Sequence, residues 1–148
     1  MAIRETEFLT ATFHGIAAAG GAEANFYFPH GARIVRYFAI PSVAEAAHGS
    51  QVLSVVFTDK GDAGSGSAVL ATLTNDSGDS DDIDLESGAW AANVVKEIVA
   101  NDRPGTPTNA QNEFDDIAGG SVIEVAVAKA AGTSTGDVTV GIEYQRGS

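Results

Sequence analysis

Apolar and polar residues alternate with a period of two along much of the chain. From Asp137 to Gln145, Val138, Val140, Ile142 and Tyr144 share one side, with Asp137, Thr139, Gly141, Glu143 and Gln145 on the other. Successive side chains of a strand point to opposite faces, so this is the pattern of a half-buried strand. Ser121 to Lys129 repeats it, with Ile123, Val125 and Val127 on one face and Val122, Glu124, Ala126 and Ala128 on the other. Between the two runs lies AAGTSTGD, either the loop of a hairpin or a crossing between two sheets.

The same template fits ATFHGIA from Ala11, EANFYFP closed by Pro29, ARIVRYFAI, QVLSVVFTD and SAVLATLT. In ARIVRYFAI the alternation places Ile34, Phe38 and Ile40 on one face and Val35 and Tyr37 on the other. In QVLSVVFTD, Leu53, Val55 and Phe57 point inward. The turn-forming clusters HGSQ, DKGDAGSGS and NDSGDSDD separate these runs. Gly88 to Asp102, GAWAANVVKEIVAND, fits two periods. As a strand it aligns Trp90, Ala92, Val94, Lys96 and Ile98; as a helix it aligns Trp90, Val94, Val95 and Ile98, with Ser87 as cap. Its β-branched residues favour the strand. RPGTPTNAQNE is expected to be a loop, because Pro104 and Pro107 cannot donate to a ladder. Short strands divided by Gly, Asp and Ser clusters predict a mainly antiparallel β-sandwich or barrel of about eight strands.

Composition narrows the function classes. The chain has 148 residues, enough for one domain with its own core. It has no cysteine, which excludes disulfides and thiolate metal sites. Lys and Arg total 8 against 20 Asp and Glu, a formal charge of −12 that opposes nucleic-acid binding. MAIRETEFLT lacks the apolar core of a signal peptide, and no apolar run is long enough for a membrane helix, so synthesis and folding in a cytoplasm are expected.

No motif carries chemistry. NDSGDSDDIDLE holds six carboxylates, Asp76, Asp79, Asp81, Asp82, Asp84 and Glu86, but lacks the spacing of a calcium loop. It is expected to be a solvated connector. His14, His30 and His48 share no ligand spacing, and a zinc site needs three or four converging groups. Ser65 and Ser67 are not centred in a nucleophile elbow. The glycines at 61, 64 and 66 lack the lysine of a phosphate loop and stand beside Asp59 and Asp62. The positive feature is a set of strands apolar on both sides. Val52 and Val56 back Leu53, Val55 and Phe57, while Val122 and Ala126 back Ile123, Val125 and Val127. A two-layer sandwich in water presents polar outer faces, so these residues lie either under a segment of the same chain or in a subunit interface.

The N-terminal segment, ARIVRYFAIPS, SQVLSVVFTD and the closing DIAGGSVIEVAVAKAAGTSTGDVTVGIEYQRGS together resemble small virion proteins of tailed bacteriophages. The likeness is to head decoration, or cement, proteins with a jelly-roll sandwich. It lies in the short strands, the Ala/Gly/Thr-rich turns, the Gly-Ser-Val-Ile lead-in to a late strand and a last strand that closes the chain. It implies an all-β, antiparallel jelly-roll-like sandwich over residues 11–148, preceded by an arm over 1–10. It implies a structural virion protein on the capsid exterior, not an enzyme and without a cofactor. Such a protein binds the major capsid protein, bridges neighbouring coat subunits and forms a homo-oligomer, a trimer by preference. Neither nucleic acid nor membrane is an expected partner. The candidate contact residues are Ile3, Phe8 and Leu9 in the arm, and Val52, Val56, Val122 and Ala126 on the two-faced strands. The alternative is a jelly-roll carbohydrate- or host-surface-binding module of a phage fibre or tail. Trp90, Tyr27, Tyr37 and Tyr144 are then the aromatics available to a sugar, although the tyrosines sit on predicted strands, where core packing is expected.

Overall fold

The computed structural model describes residues 5–100, 102–103, 115–133 and 135–146. Its ten strands are β1 (Glu7–Phe13), β2 (Gly20–Phe28), β3 (Ala32–Pro41), β4 (Leu53–Gly61), β5 (Ala68–Thr74), β6 (Leu85–Glu86), β7 (Lys96–Val99), β8 (Asp116–Ile117), β9 (Ser121–Lys129) and β10 (Val138–Arg146). One sheet has the order β1-β10-β3-β7, with β8 added to β3; the other runs β2-β9-β4-β5-β6. Every strand pair is antiparallel except the short β5–β6 pair. Without the two-residue β6 and β8, the eight remaining strands taken in chain order read 1-8-3-6 in one sheet and 2-7-4-5 in the other. Two interlocked Greek keys give that order, and it defines a jelly roll.

The predicted alternation of β9 and β10 is what builds the core. Ile123, Val125 and Val127 from one sheet meet Val138, Val140 and Ile142 from the other, all essentially without solvent exposure. Each fully buried side chain of this size contributes about 1.5–3 kcal/mol. The connector Ala130–Asp137 crosses between the sheets, which settles the alternative left by the sequence: β9 and β10 pair with β2, β4, β1 and β3, not with each other. Jelly-roll winding also sets the two ends of the sandwich. The acidic connector after β5 lies at one end, and the β2–β3 turn and the last residues of β10 lie at the other.

Three expectations need correction. In β3 the register against β10 shifts at Glu143/Tyr144, where Ile34 stands opposite Tyr144 and Arg36 opposite Glu143. Val35 is the extra residue of this bulge, and a bulge reverses the facing of everything beyond it. Ile34 and Tyr37 therefore both point into the core, and Phe38 and Ile40 lie on the outer side. Second, Gly88–Asp102 is neither one strand nor a helix. Trp90 forms an isolated bridge with Glu45, Asn93 adopts a left-handed φ of 60°, and only Lys96–Val99 is a strand. The bend leaves Val94 and Val95 exposed while Trp90 and Ile98 are buried. Third, β1 starts at Glu7, so residues 7–10 of the segment read as an arm belong to the sheet, and Phe13, not Ala17, is where it ends. Of the predicted proline loop, residues 104–113 lie outside the described residues, as does Ile3.

Candidate interaction surface

The contact residues expected from the sequence fall on opposite sides of the sandwich. Val52, Val56, Val122 and Ala126 are all partly buried on the outer face of the β2 sheet. Val56 stands directly opposite Ala126 on β9 and Thr72 on β5, and Ala126 opposite Glu23 on β2, so Glu23, Ala126, Val56 and Thr72 form one row across four strands. The neighbouring row is Gly21, Ala128, Ser54 and Thr74. Small side chains here leave a shallow depression of about 330 Å³ lined by Gly21, Glu23, Ala126 and Ala128. Toward the other end, Lys60 of β4 and Gly64 of the β4–β5 connection stand beside Val122, Asn25 and Glu124 around a second depression of about 360 Å³. The chain's own loop thus flanks Val122, whereas the Val56–Ala126 row lies open.

Leu9 and Phe8 part company. Leu9 faces inward and packs against the core of its own sandwich. Phe8 is 51% exposed on the outer face of the β1 sheet. Its ring meets Phe38 edge-on at 6.3 Å, and the Arg36 guanidinium lies 4.8 Å from the centre of the Phe38 ring. Arg36 donates to Glu97 at 2.7 Å and to Glu143 at 2.8 Å. These bonds, that to Glu97 first, hold its pKa above the ordinary value. The outward-facing Phe38 is thereby shielded by side chains of its own sheet.

The acidic connector is tied to itself. Asp76 accepts from the Gly78 N–H at 2.8 Å, Asp82 from the Ile83 N–H at 2.7 Å, and Asp81 from the Ser87 N–H at 2.9 Å and hydroxyl at 3.0 Å. Beside it Lys96 Nζ donates to the Ser87 and Gly88 carbonyls at 3.0 Å each and lies 5.6 Å from the centre of the Trp90 ring. Burial lowers the Lys96 pKa against the pull of Glu86 and Asp81. Burial, then Asp81, raises that of Glu86, with Lys96 opposing. His14 reaches Asp137 at 3.3 Å, and His48 Nδ1 accepts from the Ser50 and Gln51 N–H groups at 3.0 Å. Among the described residues no three His, Asp or Glu side chains gather in a way that would hold a metal ion.

Sequence reasoning missed the buried charges. Lys129, at the inner side of β9, is 3% exposed and donates to Glu45 at 2.7 Å. Arg103 is fully buried against Asp115 and donates to the Leu70 and Ile83 carbonyls at 2.9 and 2.8 Å. Sequence reasoning also expected core packing for Tyr27. Tyr37 is fully buried as expected, but Tyr27 is 60% exposed on the outer side of β2. The alternation of β2 carried that signal, since Phe26 and Phe28 claim the inner face on either side.

No family model matches the chain, and no curated protein does. Among solved structures it is similar to the Drosophila NLP core, a structure concerned with pentamer formation and histone binding, at 14% identity and a TM-score of 0.38, over 97% of this chain and 100% of that one. It is similar to the carbohydrate-binding module CtCBM11 at 14% identity and a TM-score of 0.34, over 97% of this chain and 84% of that one. It is similar to the structure of infectious bursal disease virus, Gx strain, at 13% identity and a TM-score of 0.26, over 96% of this chain and 36% of that one. Likenesses at this level assign no function. The chain is a jelly-roll β-sandwich module, and its role rests on its own surfaces.

Proposed function

We propose that this module is a structural component of a bacteriophage virion that decorates the capsid exterior and bridges neighbouring coat subunits. The observation that supports it is the open Val56–Ala126 row on the outer face of the β2 sheet. Outer faces of sandwiches in water are polar, and here the small apolar side chains of Val56, Ala126 and Ala128 sit among Glu23, Ser54 and Thr72, a mixed surface of the kind protein partners cover. The partner in this proposal is the major capsid protein, with a second copy of the chain, in a trimer, sharing the face. The charge of −12 suits a protein exposed on a shell better than one lining packaged DNA. A clamp that binds only the assembled lattice stabilises that lattice by linkage.

The test is reconstitution. Particles lacking the protein are incubated with it, and the temperature of DNA release is measured. The expected result is saturable binding and a higher release temperature. Particles that bind it without any gain in heat stability would remove the cementing role, and absence of binding would remove the capsid partner.

A further inference from the structure

At the end of the sandwich opposite the acidic connector, the β2–β3 turn and the last residues of β10 enclose a cleft of about 60 Å³ between Tyr27, His30, Gly31, Tyr144 and Arg146. Its chemistry differs from the rest of this acidic surface. Its described lining holds an arginine and a histidine, with one carboxylate, that of Glu7, at its edge against the Tyr144 hydroxyl and the Arg146 guanidinium. The walls are rigid. Phe28 packs edge-on against Tyr144 at 5.0 Å, and the Tyr144 hydroxyl donates to Glu7 at 2.8 Å. Gly31 has a φ of 71°, and a side chain there would meet the Ile117 carbonyl at 2.5 Å, so the turn is held close against β8. Tyr27 stands at the rim with 60% of its surface in solvent.

We propose that this cleft binds a carbohydrate bearing a carboxylate, with the acid group beside Arg146 and His30 and the sugar ring stacked on Tyr27. The volume suits a carboxylate or one edge of a ring, not a whole sugar, which leaves the ring outside against the exposed aromatic. Guanidinium groups recognise carboxylates through paired N–H donors, and aromatic faces with a few placed polar groups are the usual make-up of small-ligand sites. Arg146 is not locked away from such a ligand. Its one ion pair among the described residues, to Glu7, is 3.5 Å long, with the two side chains 65% and 44% exposed. A second cleft of about 150 Å³ is lined by Arg33, Val35, Ala100 and Gln145.

The site is distinct from the Val56–Ala126 row, so it stands or falls independently of the capsid role. The probes are trigalacturonate and maltotriose, titrated into the ¹⁵N-labelled full chain. The expected result is saturable shifts confined to residues 27–33 and 144–146 with the acidic sugar, at least tenfold weaker with maltotriose. Tyr27→Ala and Arg146→Ala, both at exposed positions, should each weaken binding about tenfold with an unchanged β spectrum. Equal binding of the neutral sugar, shifts elsewhere, or no shifts at millimolar sugar would overturn the proposal. So would a glutamate tripeptide that binds as tightly, because the aromatic platform would then contribute nothing.

Discussion

Arg103 and Asp115 meet inside the sandwich at 2.7 Å, with side-chain exposures of 0% and 7%. They stand at the two ends of residues 104–114. Arg103 also donates to Leu70 and Ile83 carbonyls and lies 5.7 Å from the centre of the Tyr37 ring. Removing one partner of a buried pair strands the other charge, at a cost of about 3–5 kcal/mol. Asp115→Asn and Arg103→Met should each lower stability by that order in urea unfolding. The Arg103→Met/Asp115→Asn pair should cost less than the sum of these two singles. Additive losses would show that the two side chains do not act as a unit.

Gly141 makes room for Phe38. A side chain at 141 would meet the Phe38 ring, including Cε1 at 2.8 Å, and the Leu9 carbonyl at 3.0 Å on the neighbouring strand. Crowding of this kind costs about 1–3 kcal/mol. Gly141→Ala should be destabilised by that amount, and Phe38→Leu in the same chain should restore part of it. A Gly141→Ala protein as stable as the parent would mean that the ring has free space to move into.

Tyr37 sets an alkaline limit. Burial first, and then Asp115, raises its pKa well above the ordinary 10.0. Above about pH 10 the unfolded chain gives up this proton while the folded chain keeps it. The folded state then binds more protons, so stability falls as pH rises through the unfolded tyrosine range. Tyr37→Phe should flatten the fall in unfolding free energy between about pH 9 and 11. An unchanged slope would place the alkaline loss on other groups.

The sandwich was legible wherever a strand had one apolar and one mixed face. Ile123, Val125 and Val127, and Val138, Val140 and Ile142, are buried as their alternation requires. Alternation failed in β3, because the bulge at Val35 depends on how β10 pairs with it, and that pairing joins residues about a hundred positions apart. It failed at Trp90 to Val95 because the bend at Asn93 is held by its N–H donating to the Pro41 carbonyl at 2.7 Å, another distant partner. Charges misled for the same reason. The alternation of β9 puts Lys129 on the inner face, but the partner that allows its charge to be buried, Glu45, lies 84 positions away in the chain. Of the candidate surface, Val56 on β4, Val122 and Ala126 on β9, and Val52 just before β4 could be read from the two-faced runs, whereas the cleft at Arg146 is made by chain segments that only the fold brings together.

The capsid proposal makes a prediction that separates binding from folding. Val56 points away from the core, opposite Ala126 and one strand removed from Glu23. A glutamate at 56 adds an acidic group to this row. Charges near one another on a sheet surface cost about 0.2–1 kcal/mol, too little to unfold the domain. In an interface the same carboxylate would be desolvated without a partner, a penalty of several kcal/mol. Val56→Glu should therefore keep the β spectrum and nearly the parent melting temperature, yet lose capsid binding and, in light scattering, any trimer. The N-terminal contribution is tested separately by removing residues 1–6, which leaves β1 whole; a cut through residue 9 would take Glu7, Phe8 and Leu9 from its ladder with β10. Loss of binding in the truncated chain, with the fold intact, would assign part of the contact to the arm. A Val56→Glu protein that binds particles as the parent does would exclude the β2 sheet as the docking face and leave the outer face of the β1 sheet, with its exposed Phe8, as the surface to test.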